Sequence, residues 1–316
     1  MAGRTVVITG TTSGTGRAAA TTLADLGAKV LVLNRASTRA TDSFAELTAA
    51  FPDTELHNVE CDLQSFESTA AAAAIVRELC PEGVHVVCNN AGVMALGDVA
   101  TVDGFDIQMQ TNHLSHFLLT KELLPLLHHA AETGDARIVN HSSVARLSPS
   151  KTLQAKFLEK KGGDLGGDGT SIQNLMFRGP RWLRYNQSKL ANAAFTAALH
   201  HRLSASNSSI KALVAHPGLA NTHLQKTSVK EGGMGSLFTN AMMRFSQSAE
   251  DGSMGILSCM CLPNATSGQF YGPGTGSAAI KGEAKPFALE SFYDNAATRD
   301  LLWTKSEAAI GGPFPI

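Results

Sequence analysis

Six short runs of β-branched and apolar residues alternate with longer segments rich in alanine and leucine. That rhythm narrows the accessible folds more than any other feature. The runs are Thr5–Thr9, Lys29–Leu33, Glu55–Glu60, Val84–Cys88, Arg137–His141 and Ile210–His216, and a last short one includes Gln269–Tyr271. Several are apolar throughout, as expected of strands buried on both faces. Between them lie helical patterns such as Gly16–Leu26, Ser65–Leu79, Phe105–Ala130 and Lys189–Leu203. Strands and helices alternating in this way predict α/β architecture, a parallel sheet of about seven strands covered by helices on both faces. Only the stretch at about 149–183 breaks the pattern, with Gly162-Gly163-Asp164-Leu165-Gly166-Gly167-Asp168-Gly169 at its centre. A connection this long is read as a functional or variable insertion in an otherwise single unit spanning 1–316.

Composition supports a large core and excludes several classes. The chain has 316 residues, 43% of them hydrophobic, and a formal net charge of −1. No global charge attracts nucleic acid or an acidic membrane surface. No apolar run approaches the ~18 residues of a membrane span. No secretory signal pattern opens the sequence, so a soluble intracellular protein, placed in the cytoplasm, is expected. The five cysteines are odd in number and lack CxxC spacing, which argues against a disulfide framework. Cys88 closes an apolar run and reads as a small core residue.

The first strand leads into Gly10-Thr11-Thr12-Ser13-Gly14-Thr15-Gly16, which opens a helix. Glycines at such a turn let the backbone approach a pyrophosphate. The helix then offers unpaired N–H groups and the positive end of its dipole. A glycine cluster alone is weak evidence, but its place between a strand and a helix is the confirming context. Tyr185 and Lys189 lie four apart and so share one helix face. A phenol near its ordinary pKa of ~10 is a poor base at neutral pH, and a neighbouring ammonium favours the phenolate. That gives the spacing a reason in acid–base chemistry. Of the three tyrosines, neither Tyr271 nor Tyr293 has a lysine four residues on.

The Gly-x-x-x-Gly-x-Gly turn, Asp62-Leu63, Asn89-Asn90-Ala91-Gly92, Asn112, Ser143, Tyr185-x-x-x-Lys189 and Pro217-Gly218 follow one another in order. Together they resemble the short-chain dehydrogenase/reductase family over nearly the whole chain. The strings Asn112-His113-Leu114-Ser115-His116-Phe117, Gln187-Ser188-Lys189-Leu190-Ala191-Asn192 and His216-Pro217-Gly218 are similar to its retinol-dehydrogenase-like and WW-domain-oxidoreductase-like branch. The resemblance implies a Rossmann-type doubly wound sheet, three layers α/β/α. It implies a nicotinamide cofactor held by Gly10, Thr12, Ser13, Gly14, Thr15 and Gly16. Asp62 and Leu63 would lie beside the adenine. Asn90, Ala91 and Gly92 would line the adenosine ribose. Pro217, Gly218, Leu219 and Thr222 would cover the nicotinamide end, followed by a substrate-covering region at about 219–250.

The second strand ends on Asn34-Arg35. A carboxylate at this point reads the ribose hydroxyls, whereas arginine welcomes a 2′-phosphate. Arg35 therefore favours NADP(H), with NAD(H) as the lesser option. Ser143, at the carboxyl end of the fifth strand, can hydrogen-bond a substrate oxygen, with Ser142 as the alternative. The resemblance assigns Asn112 to hold a water serving Lys189. The expected function is an NADP(H)-dependent oxidoreductase interconverting a small-molecule carbonyl and an alcohol, with Tyr185 as general acid/base. The alternative is a catalytically silent NADP(H)-binding regulatory or scaffold protein, and the intact quartet of Asn112, Ser143, Tyr185 and Lys189 argues against it. A sugar-nucleotide epimerase would carry a different glycine spacing.

Family members often pair through the helices bearing Asn112 and Tyr185, so a homodimer is an open option. His113 and His116 lie three apart, but no third ligand is evident, and no metal is expected. Met234, Met242, Met243, Met254 and Met260 could line an adaptable pocket or fill an ordinary core. Arg178, Arg181 and Arg184 flank Trp182 at the end of the insertion. They could form a lid over an acidic or flat substrate, although a surface excursion anchored by Trp182 is the preferred reading.

Overall fold

The computed structural model describes residues 1–147, 150–220, 223–235, 239 and 246–316. Eight strands form one sheet in the order β3-β2-β1-β4-β5-β6-β7-β8. They are β1 (Thr5–Thr9), β2 (Lys29–Asn34), β3 (Leu56–Glu60), β4 (Val86–Asn89), β5 (Arg137–His141), β6 (Lys211–Ala215), β7 (Gln269–Pro273) and β8 (Ala284–Ala288). The first seven pair in parallel, as the apolar runs predict. The eighth is an addition: β8 pairs antiparallel to β7 at the edge. Its sequence, Ala284-Lys285-Pro286-Phe287-Ala288, is only half-buried and carries no apolar run.

Alternate residues of the strands feed two cores. Val7, Leu31, Val87, Ile138, Ala212, Val214 and Phe270 face one way. They meet α3 (Phe66–Leu79), α5 (Ser115–Thr133), α7 (Pro180–Ala205) and α10 (Ala296–Ile310). Val6, Ile8, Val30, Val32, Val86, Cys88, Val139, Leu213 and Ala215 face the other way, onto α1 (Gly14–Asp25) and α9 (Ala249–Cys261). The period of two along each strand separates the faces, and burial on both explains why several of the strands are apolar throughout. Cys88 lies in the second core, where burial pushes its thiol well up. All five cysteines are free.

The chain order reverses between β1 and β4, so a crevice opens beyond their carboxyl ends, where doubly wound sheets bind ligands. The glycine turn, the β4 loop and the end of β5 meet there. α2 (Thr38–Ala50), capped by Ser37, follows β2. The long helix expected from Phe105 onwards is divided. Asp106 caps a short α4 (Ile107–Met109) by accepting from Gln108 N and Met109 N, and a π turn over Gln110–Leu114 leads into α5. π turns are rare and often carry functional residues; this one carries Asn112. The insertion has local order: a 3-10 turn at Ala155–Leu158 and a short α6 (Ser171–Leu175) with a capping box. A further helix, α8 (His223–Lys230), follows β6. Among the described residues no helix is long and apolar enough to cross a membrane.

Candidate active site

Four side chains from three elements converge at the crevice. β5 delivers Ser142 and Ser143, and the two hydroxyls have different tasks. Ser142 Oγ donates to the Lys189 carbonyl at 2.7 Å, fixing β5 to α7. Ser143 Oγ accepts from Ala145 N at 3.2 Å and shares a hydrogen bond with the Tyr185 phenol. α7 starts at Pro180, a favourable first helical residue. One turn further on it presents Tyr185, and a turn later Lys189, both buried.

Asn112, wholly buried, accepts from Val93 N at 2.7 Å and donates to the Val93 carbonyl at 3.0 Å and to Ser188 Oγ at 2.8 Å. Lys189 Nζ donates to the His141 carbonyl at 3.0 Å. Gly92 lets these groups gather: a Cβ there would lie 3.1 Å from Asn112 Oδ1 and 3.2 Å from Lys189 Nζ.

Burial sets the protonation states. It lowers Lys189 from its ordinary value to about 8, since an ammonium is costly away from water. It raises Tyr185 to about 12, opposed by the Ser143 hydrogen bond. The spacing alone suggested a tyrosine held low by its lysine. In the folded protein desolvation dominates instead, and the phenol keeps its proton at neutral pH.

Next to this quartet lies the glycine turn. Gly10 (φ +73°) sits so close to Ala91 that a Cβ would lie 2.7 Å from its Cα. A Cβ on Gly16 would run into the Gly10 carbonyl and the Asn90 amide. Both glycines therefore let α1 and the β4 loop close together, leaving the start of α1 open beside Thr12, Ser13 and Gly14. Ser13 caps α1 by conformation but makes no side-chain capping bond. Thr15 Oγ1 reaches Asn90 Oδ1 at 3.4 Å. Asn90 is a tie: Nδ2 donates to the Thr9 carbonyl at 2.8 Å, and Oδ1 faces His141 Nδ1 at 2.8 Å.

Asn34 is likewise committed, accepting from Thr11 N and donating to Thr11 Oγ1, both at 2.8 Å. Arg35 is exposed and has no ion pair among the described residues. Asp62 is half-buried and accepts from Gln64 N at 3.0 Å; Leu63 beside it is buried. Pro217, Gly218 and Leu219 form a turn in which Leu219 N donates to the Ile280 carbonyl at 2.8 Å and Gln247 Nε2 to the Pro217 carbonyl at 2.6 Å. Gly218 has a positive φ of +63°. Thr222 lies outside the described residues.

An apolar wall flanks Tyr185. Met94, Ala95, Trp182 and Met234 pack with it, and Phe177 meets Trp182 edge-on at 4.8 Å. Met234 thus belongs to the wall beside Tyr185. Met260 belongs to the sheet core, Met254 is half-exposed, and Met242 and Met243 lie outside the described residues. The arginines of the insertion are not free to meet a ligand as a group. Arg184 is fully buried against Asp106, with Nε 3.2 Å from Oδ2, and Arg181 pairs with Asp168 at 2.7 Å. Only Arg178 is exposed. His113 and His116 are buried helix residues, bonded to Ser306 and Thr9.

Sequence reasoning missed several supporting residues. Thr9 Oγ1 accepts from Asn90 N and Ala91 N at 3.1 and 2.9 Å. Arg146, buried, donates from Nη1 to the Ser143 carbonyl at 3.1 Å and pairs with Glu290 at 2.8 Å. A threonine closing the first strand is a weak signal for the former. No spacing announces the latter.

Comparison with known proteins places this geometry. Residues 4–155 match the family profile described as short chain dehydrogenase. The chain is 32% identical to mouse retinol dehydrogenase 14 across 98% of its own length and 87% of that protein. The chain belongs to the short-chain dehydrogenase/reductase family. Its relatives place it on the retinol-dehydrogenase-like branch, with 30% identity to mouse retinol dehydrogenase 12 over 87% of that protein. An uncharacterized oxidoreductase of Schizosaccharomyces pombe is 33% identical over 72% of this chain and 63% of the other. Family membership makes the protein a nicotinamide-dependent oxidoreductase acting on CH–OH groups. Among solved structures, a putative uncharacterized protein from Mycobacterium paratuberculosis superposes with a TM-score of 0.74 at 31% identity, over 100% of this chain and 96% of that one. L-sorbose reductase from Gluconobacter frateurii, solved with NADPH and L-sorbose, shares the fold at a TM-score of 0.62 and 20% identity.

Proposed function

We propose that this dehydrogenase/reductase uses NADP(H) to interconvert a carbonyl and an alcohol, with Tyr185 as the proton-transferring group. The observation that carries the reading is the Ser143–Tyr185 hydrogen bond, with Lys189 and Asn112 meeting around Gly92 immediately behind it. The cofactor fits the residues present. Gly10 and Gly16 admit no side chain, and the start of α1 offers N–H groups to a pyrophosphate. Lys189 is a buried ammonium with three donors and one hydrogen-bond partner among the described residues, so it can reach ribose hydroxyls. Asn34 brings no carboxylate to repel a 2′-phosphate, and its amide is already used by Thr11. Arg35 is exposed and able to bind one.

When bound, the nicotinamide supplies or accepts the hydride at the substrate carbon. Ser143 and Tyr185 donate hydrogen bonds to the carbonyl oxygen and favour its developing negative charge. Tyr185, kept protonated by burial, gives its proton to that oxygen in the reductive direction. Lys189 stabilises the resulting phenolate. Asn112, held by Val93 and Ser188, orients the route by which Lys189 regains contact with solvent. In the oxidative direction the same groups act in reverse.

The test is an NADPH-oxidation screen over aldehydes, ketones and quinones, run beside Tyr185→Phe. Turnover by the parent, and its near-complete loss in the variant with NADPH binding intact, is the expected result. Undiminished turnover by the variant would overturn the mechanism. A catalytic efficiency with NADH well above that with NADPH would overturn the cofactor assignment.

A further inference from the structure

The insertion reaches the apolar wall beside Tyr185 at several points, with Phe177 against Trp182 and Asn174 bonded to the Gly232 carbonyl, and one of its carboxylates adds a charged tie. Asp168 lies in the glycine-rich stretch, with its side chain 52% exposed. Its Oδ1 accepts from Asp98 N at 2.8 Å, and its Oδ2 pairs with Arg181 Nη2 at 2.7 Å. Its carbonyl accepts from Asn174 Nδ2 at 3.2 Å, and the same amide reaches the Gly232 carbonyl at 3.3 Å. Arg181 in turn donates to the Glu231 carbonyl at 2.6 Å and reaches the Ala95 carbonyl at 3.5 Å. Trp182 Nε1 donates to the Gly233 carbonyl at 3.0 Å. Gly233 lies so near Ala95 that a Cβ would run into the Ala95 carbonyl.

Three segments of chain therefore meet on the first turn of α7: the insertion, the β4 loop at 95–98, and the stretch at 231–233. Arg181 stands one turn before Tyr185. The wall residues Met94, Trp182 and Met234 each adjoin one of these tied points. Beneath them, Asp98 accepts from Gly163 N, Leu165 N and Gly167 N, and Arg184 fills the interior with Nη2 3.8 Å from Asp168 Oδ1, so most of the bonds that shape the loop are made without the Asp168 side chain. Asp168 is the charged, exposed link between this loop and the wall, beside the contacts of Asn174 and Phe177.

We propose that Asp168 is a specificity-determining positioning residue, which holds the Met94–Trp182–Met234 wall at the separation from Tyr185 that a bulky apolar carbonyl substrate requires. It does not touch the reacting atoms. Its effect depends on how far the substrate extends from the carbonyl. A small aldehyde meets only Ser143 and Tyr185, whereas a large flat one must also lie along the wall. This rests on the carbonyl–alcohol reading above.

The experiment compares the parent with Asp168→Ala, Asp168→Asn and Asp168→Glu, using propanal, hexanal and 2-naphthaldehyde with NADPH. The KM for 2-naphthaldehyde should rise about tenfold in the alanine variant, the size of a typical coupling through packed neighbours. Propanal kinetics and NADPH affinity should stay within about twofold of the parent on the same scale. Glutamate should restore much of the loss. Asparagine, which keeps the bond to Asp98 N but loses the charge facing Arg181, should fall between. Equal losses for all three aldehydes, or none for any, would overturn the proposal. Binding of 2-naphthol to the NADPH-loaded protein, read by quenching of tryptophan fluorescence, judges the wall without turnover. Weaker binding in Asp168→Ala supports the role, and unchanged affinity refutes it. Absence of turnover by the parent with every aldehyde would count against the carbonyl–alcohol reading alone, with the naphthol measurement still deciding on Asp168.

Discussion

Ser142 and Ser143 are adjacent and chemically identical, yet their surroundings assign them different work. Ser142 is bonded to the Lys189 carbonyl, so Ser142→Ala should cost about 1 kcal/mol of stability and little turnover. Ser143→Ala removes the donor that the proposed mechanism directs at the substrate oxygen, and should lower kcat by about a hundredfold or more. Steady-state kinetics and a urea melt on both variants separate the cases; equal kinetic losses would refute the distinction. Lys189 makes the pH prediction at this scale. Its lowered pKa, about 8, means that it is an ammonium below that pH and loses its charge above it. Tyr185 at about 12 keeps its proton across the same range. The reductive kcat/KM, which reports groups of the free enzyme, should therefore fall as pH rises through 8. Lys189→Arg, charged throughout, should lack that limb. A profile flat to pH 10 in the parent would refute it. Tyr185, Lys189 and the glycine turn were legible in the sequence because each has a spacing imposed by helix or turn geometry. The commitments of Asn34 and Asn90 to neighbouring backbone were not, since a polar residue looks the same whether it faces a ligand or a loop.

At the scale of elements, the parallel strands were readable because burial on both faces leaves apolar runs. β8 was not, because an edge strand that exposes its side chains needs none. The π turn at Asn112 escaped too: its residues fit a continuous helix, and only the pull of Asp106 and Val93 reveals the extra residue. β8 and the segment after it have a bearing on the site. Arg146 lies over the Phe270 ring at 4.2 Å, pairs with Glu290 and donates to the Ser143 carbonyl, joining the sheet edge to the segment that follows β5. Arg146→Met should leave Glu290 without its buried partner and cost roughly 3 kcal/mol. It should also reduce kcat while cofactor affinity holds, because Ser143 loses a support and the glycine turn does not. Denaturant melts with NADPH titration test this; a normal kcat in a folded variant would sever the edge strand from the chemistry.

Across the whole molecule, the two cores enclose more imidazole than the sequence implied. His113, His141 and His216 are lowered by burial to about 3, and His116 to about 4. Their partners suit neutral rings. His116 Nδ1 faces the Asn112 carbonyl and Nε2 the Thr9 hydroxyl, while Thr9 Oγ1 already accepts from Asn90 N and Ala91 N. Thr9 therefore donates to Nε2, and His116 is the Nδ1–H tautomer. The linkage sign follows: below pH ~6.5 the unfolded chain binds protons that the native state refuses, so stability falls as pH falls. Four such groups approach a slope of about 5 kcal/mol per pH unit. Asp106 opposes them, because its pKa is raised to about 6 by burial and the native state holds its proton down to the unfolded value near 3.8. The net slope is nearer 4 kcal/mol per unit, enough to exhaust a typical 5–15 kcal/mol within a few units. Urea melts between pH 7.5 and 4.5 should therefore show a midpoint that collapses near pH 5, and His113→Phe, which removes one of the four, should shift the collapse toward acid. A midpoint constant across that range would mean that these imidazoles take up protons without unfolding, and that the crevice floor they support is open to water.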